Sequence, residues 1–217
     1  MKGLLVKDME LLMQQKKFFI VVFVMGAVLS FSGSATFAIG YFTILIATFA
    51  TTTVSYDEYD NGFAFLMTLP VTRKEYTKEK YFLGLILSVA AWALGMIIEG
   101  ICYMVQPMDQ SFFELFISAA AMVPVGLLMV ALILPFIIKY GAEKGRYMAL
   151  GILVVVFAAI VMMPKTLGMS ETDITGAINS VFSIGVFPVL LIAAVLVFVI
   201  YYISYRISTG IMNKKEF

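Results

Sequence analysis

The sequence predicts an all-α, polytopic membrane protein with six transmembrane helices and both termini in the cytoplasm. Three observations carry this expectation. The 217-residue chain is 62% hydrophobic and only 13% charged, whereas a soluble domain is about half apolar and about a quarter charged. Its apolar residues fall into six runs, at about 17–34, 36–55, 81–105, 112–138, 147–163 and 184–205; about 20 residues suffice to cross the hydrocarbon. Fourteen of the fifteen Lys and Arg residues lie on one side of that layout, and only Lys165 on the other. Loops rich in Lys and Arg stay in the cytoplasm. Residues 1–217 therefore read as a single transmembrane domain.

Residues 2–16 read as an amphipathic helix lying in the membrane interface. Leu5, Val6, Met9, Leu12 and Met13 share one arc, with Lys7, Glu10 and Gln14 opposite. Extension of the first span into the cytoplasm is the alternative. A cleaved signal is not expected, because this segment is long and carries Asp8 and Glu10. Tyr81, Tyr140, Tyr147, Tyr201, Tyr202 and Tyr205 mark the inner ends of the spans, where amphipathic rings settle. Trp92 is mid-span and is expected to pack on another helix. Pro124, Pro135 and Pro188 lie in apolar runs and are expected to kink them. In the outer loop, 164–183, Ser170-Glu171-Thr172-Asp173 favours the start of a short rim helix.

The cytoplasmic loop at 57–80 is the most informative segment. Its charges keep it in water, yet Phe63 to Leu69 is almost wholly apolar. Burying one such large side chain is worth roughly 1.5–3 kcal/mol, so several left in water require a cover. Asp60 and Asn61 suit a helix start and Pro70 stops its continuation, which predicts about two turns of helix. Thr72-Arg73-Lys74-Glu75 then reads as a capping box that launches a second helix through Lys80 into span three. The lipid interface, the protein's own inner rim and a groove on a soluble partner are all possible covers.

The remaining chemistry is sparse. The chain has no histidine, and Cys102 is its only cysteine, so no metal site or catalytic residue is expected. No G-x-x-x-x-G-K-[ST] phosphate loop occurs in it. Glu99 is the one acidic residue inside a span, read either as a contact on a substrate path or proton-sensitive gate, or as an interfacial carboxylate reaching headgroups or a hydroxyl neighbour. Thr48, Thr51, Thr52 and Thr53 enrich span two in small hydroxyls that suit close helix packing, with a polar lining of a path as the alternative. Glu143, Lys144 and Arg146 occupy an inner turn, either a second cytoplasmic contact or a charged turn that anchors topology.

The acidic "DEYDNG" leading into the apolar stretch, and "LPVTRKEYTKEKY" entering span three, give the loop a recognisable form. With them stand "MKGLLVKDMELL" at the start, "KYGAEKGR" after span four and "RISTGIMNKKEF" at the end. In this order and topology the chain resembles the membrane subunits of type-2 ABC exporters. It is most similar to the small six-span permeases of bacitracin resistance, lantibiotic immunity and phenol-soluble-modulin export. The resemblance implies that the short helix is a coupling helix, with Asn61, Gly62, Phe63, Phe65, Leu66, Met67 and Leu69 contacting a separate ATPase subunit. Asp57, Glu58, Arg73 and Glu75 would form its charged rim. It further implies a bacterial plasma-membrane location, pairing with a second permease copy, identical or paralogous, and amphipathic or antimicrobial peptides, or similar hydrophobic toxins, as substrates. ATP and Mg would bind the partner ATPase, leaving no cofactor on this chain, and no nucleic acid is involved. A secondary transporter or channel without an ATPase is the competing reading; it predicts several charges within the spans, where Glu99 is nearly alone.

Overall fold

A computed structural model describes residues 2–31, 35–59, 62–105, 111–166, 168, 173, 175–176, 180, 183 and 185–215. The helices are α1 (Lys2–Gln14), α2 (Lys16–Phe31), α3 (Ala35–Glu58), α4 (Gly62–Thr68), α5 (Arg73–Val105), α6 (Phe112–Ala120), α7 (Met122–Tyr140), α8 (Ala142–Thr166) and α9 (Val186–Lys214). No strand occurs among the described residues. The expected rim helix after Ser170 begins outside them.

Four stretches are long and apolar enough to cross a membrane: α3, α5, the run Phe112–Tyr140 and α9. The pair α1–α2, bent by 68°, supplies a fifth if it counts as one span. Among the described residues, length and composition thus support four or five spans. The shortfall at the first run is physical: the 16 residues of α2 reach about 24 Å, less than the ~30 Å of hydrocarbon. The predicted fifth run lies inside the 25-residue α8.

α3 is the central helix. Of its most apolar stretch 67% is buried, against 11% for α9. Small residues make this possible: Ala38, Ala47 and Ala50 are fully buried and let neighbours approach closely. α3 packs chiefly on α5 and α7; α2 adds to α3, α8 to α7, and α9 to both α7 and α5. At Gly126 of α7 a Cβ would lie 2.9 Å from Thr43 Cγ2 and 3.3 Å from Ser88 Oγ, so three helices converge there with no spare volume. The hydroxyls of Thr43, Thr48, Thr51 and Thr53 donate back to carbonyls of α3 itself, which accounts for them as packing residues.

Several elements depart from the sequence expectation. α1 turns Leu4, Asp8 and Leu12 inward, and leaves Val6, Met9 and Met13 about half exposed; an ion pair on Asp8, described below, overrides the apolar arc. The fourth run breaks at Ala121 into α6 and α7. Pro124 explains the break, because it has no N–H for the Ala120 carbonyl and its ring crowds that group. Pro188 falls in the first turn of α9, where a missing N–H costs nothing, so it makes no kink. Tyr81 and Tyr201 are buried rather than interfacial. The Tyr81 hydroxyl bonds Ser204 at 2.6 Å and Ser208 at 2.8 Å, and the Tyr201 hydroxyl donates to the Tyr81 carbonyl at 2.6 Å. Tyr147 and Tyr202 do face outward. Trp92 packs edge-on against Phe116 of α6, as expected.

The convergence at Gly126 makes a stability prediction. Gly126→Val should destabilise the purified protein by on the order of 2 kcal/mol through overpacking, read as a lower denaturation midpoint. Gly100→Ala, at a position with open space around it, should leave the midpoint unchanged or slightly raised.

Candidate functional site

α5 is one continuous helix of 33 residues, about 50 Å long. The hydrocarbon accounts for about 30 Å. The surplus falls at the charged end, which carries Arg73, Lys74, Glu75, Lys78, Glu79 and Lys80. That end therefore projects beyond the lipid. Its first turn is closed by the predicted capping box: Glu75 N–H donates to Thr72 Oγ1 at 3.2 Å, and Thr72 N–H donates to Glu75 Oε2 at 3.0 Å. These bonds from Thr72 hold the Glu75 carboxyl below its ordinary range.

One turn further along lies a buried ionic cluster. The Lys80 ammonium has no exposure. It contacts Asp8 of α1, Asp57 Oδ2 of α3 at 2.7 Å and Thr53 Oγ1 at 2.9 Å. Lys7 reaches Asp8 at 3.1 Å and also pairs with Asp57. The Tyr76 hydroxyl donates to Asp57 Oδ2 at 2.9 Å. Burial alone would raise the Asp57 carboxyl, but Lys80 and Lys7 outweigh it and hold it below the ordinary value. Burial likewise opposes the Lys80 charge, and Asp57, Asp8 and Glu79 overcome it and raise the amine. Glu79 is the odd member. It is fully buried with no hydrogen-bond partner; burial, opposed by Lys80 at 3.8 Å and reinforced by Asp8, pushes it up to about 7.

α4 rests on this cluster. Phe63 packs edge-on against Tyr76, ring centroids 5.5 Å apart, and Leu66 is buried in the same apolar cluster. Gly62 makes the approach possible, since a Cβ there would lie 2.6 Å from the Asp57 carbonyl oxygen. The protein's own inner rim thus covers Phe63 and Leu66. Phe65, 70% exposed, and Leu69, 43% exposed, point away from it. Asn61 and the side chain of Met67 lie outside the described residues.

Each of the four charges expected to rim α4 has a partner inside the chain. Asp57 belongs to the cluster. Glu58 accepts the Ala142 N–H at 2.6 Å and so caps α8 across the α7–α8 turn. That turn needs Gly141, whose φ is 85° and whose added Cβ would meet the Glu58 carboxylate at 2.7 Å. Arg73 donates to the Asn213 carbonyl at 2.8 Å, closing the end of α9. Glu75 caps its own helix. Lys215, the next residue after α9, donates to the Ile138 carbonyl at 3.0 Å and lies 4.9 Å over the Phe63 ring.

Residues 3–213 match a family model described as ABC-2 family transporter protein. The chain belongs to the ABC-2 transporter family. Neither a curated protein nor a solved structure matches it. As an ABC-2 permease it is a membrane component of a transporter, not a catalytic subunit.

In this ABC-2 permease the remaining candidates are dispersed. Glu143 and Lys144 are exposed on the first turn of α8, beside the turn that Glu58 holds. Arg146 donates to Ser55 Oγ at 3.2 Å and so ties α8 to α3. Glu99 lies far along α5, near Ser30 of α2. It has no exposure, and neither carboxylate oxygen has a hydrogen-bond partner. Ser30 is the hydroxyl neighbour that one reading of Glu99 expected. The sequence reading missed Asp8, Lys80, Glu79 and Tyr76. The available signal was Asp8 on an apolar helix and Lys80 at the threshold of a span.

Two predictions follow from the cluster. Lys80→Met leaves Asp8 and Asp57 short of their shared buried cation and should cost about 3–5 kcal/mol, measured as a lower denaturant midpoint. For Glu79, the native carboxyl holds its proton up to about pH 7 while the unfolded one loses it near pH 4–5. Its contribution therefore falls as pH rises across that window. Glu79→Gln should raise stability at pH 8 by on the order of 2 kcal/mol, with the gain vanishing toward pH 5.

Proposed function

We propose that this chain is the membrane-spanning permease subunit of an ATP-driven exporter, energised by a separate ATPase subunit that docks on α4. The observation that carries the reading is a short helix, seated by Phe63 and Leu66 on a buried ionic platform, that turns Phe65 and Leu69 outward beyond the lipid. An isolated apolar patch held rigidly in water suits insertion into a cleft on a soluble partner. The contact set inferred from the resemblance thus narrows to Phe65 and Leu69. Glu143 and Lys144, on the neighbouring turn, form a second cytoplasmic contact.

In this reading the chain crosses a bacterial plasma membrane six times, with both termini inside, and pairs with a second permease copy. ATP and Mg bind the ATPase. Its closure moves α4, and with it α5, and the spans pass amphipathic or antimicrobial peptides outward. Glu99, buried beside Ser30 without an ion-pair partner among the described residues, lies on α5 where a cationic group of such a substrate can be met. A transporter without an ATPase gives no role to the outward face of α4.

The test is co-expression with candidate ABC ATPase subunits that carry a Walker-A loop, followed by co-purification. Phe65→Asp should abolish co-purification while leaving the denaturation midpoint of the isolated permease within about 0.5 kcal/mol, as for other surface changes. Unchanged co-purification of Phe65→Asp would falsify α4 docking.

A further inference from the structure

Where α5 leaves the lipid, a crevice of about 320 Å³ opens between it and α9. One wall is a single face of α5, on which Lys78, Phe82 and Leu85 line up at helical spacing. The other is a face of α9 formed by Phe198, Tyr202 and Tyr205. Tyr81 and Tyr201 close the back, and their hydroxyls are turned inward to Ser204, Ser208 and the Tyr81 carbonyl. The crevice therefore presents ring faces and aliphatic carbon below a polar mouth.

The charge at that mouth has one sign. Lys78 is exposed and has no ion-pair partner among the described residues. Arg206 is exposed, and its guanidinium donates to the Tyr202 hydroxyl at 3.4 Å, which places it at the rim. No acidic residue occurs in α9. On α5 the neighbouring carboxylates are engaged elsewhere: Glu75 by Thr72, and Glu79 in the buried cluster. A cationic mouth above an apolar slot matches a ligand with an anionic head and a hydrocarbon tail.

We propose that this crevice binds an anionic phospholipid, with Lys78 and Arg206 on its phosphate and its acyl chain laid between Phe82, Leu85 and Phe198. The cytoplasmic leaflet supplies such lipids, and basic pockets between spans on that side suit their headgroups. Tyrosine rings at headgroup depth serve the same boundary. The inference rests on the bilayer placement proposed above and is independent of the ATPase.

The experiment is native mass spectrometry of the purified full-length permease, supplied with phosphatidylglycerol or with phosphatidylcholine of the same chains. Wild type should retain phosphatidylglycerol selectively. The double variant Lys78→Gln with Arg206→Gln should lose about 25-fold in that retention, since each cation near the surface is worth about five-fold. The charge-matched control Lys16→Gln with Lys17→Gln, two exposed lysines on α2, should retain it as wild type does. Leu85→Trp, which fills the slot without altering charge, should also reduce it. Equal loss in the control, or no loss in the double variant, overturns the proposal. Displacement by excess inorganic phosphate overturns the lipid in favour of a free anion. Retention of neither lipid by wild type also overturns it, while leaving ATPase docking, tested by co-purification, untouched.

Discussion

The structure turns on a lysine that never meets water. Removing an ammonium from solvent costs several kcal/mol even after relaxation, and only close, well-satisfied partners offset it. Lys80 meets that condition with Asp8, Asp57 and Thr53, contributed by α1 and α3. Three segments far apart in sequence are thereby obliged to meet at one point. Lys7 offsets the excess negative charge from the exposed side. Apolar packing tolerates sliding; a buried ion pair does not, because displacement leaves a bare charge behind. The cluster fixes register where the membrane's hydrocarbon can impose none.

α4 inherits that rigidity. Its seven residues are too few to be stable alone. They hold because Phe63 lies on Tyr76, whose hydroxyl is bound to Asp57, and because Lys215 from the far end of the chain lies over the same ring. Glu58 and Arg73 extend this order to the neighbouring helix ends, α8 and α9. In the proposed docking, an outward Phe65 on such a platform would lose little freedom on binding, which favours a firm contact from a small area.

Local signals were the legible ones. The Thr72–Glu75 capping box, the short helix before Pro70 and the apolar runs all depend on neighbours within a few residues, and each has its counterpart in the structure. Placement of the charges was not legible. Asp57, Glu58, Arg73 and Glu75 flank an apolar stretch and read as a solvated rim, yet their partners include Lys80, Ala142 and Asn213. Pairing across such separations leaves no periodicity to read. The inward face of α1 was misjudged for the same reason: an apolar arc suggests one orientation, and a single carboxylate with a distant lysine enforces another. Glu99 was visible as an anomaly, but its complete burial needed the surrounding helices.

The unbroken length of α5 has a mechanical meaning. A hydrogen-bonded helix is stiff along its axis, and this one runs from its cap at Thr72 past Glu99 without a proline. Position 99 stands about 39 Å from position 73 at 1.5 Å per residue. Tilting such a rod by about 5° around its charged end swings Glu99 through roughly 3 Å, about the reach of one hydrogen bond. Under the proposed docking, α5 would act as a lever pivoting beside α4, with Glu99 far along its arm. Small rotations at one end become contacts made or broken at the other.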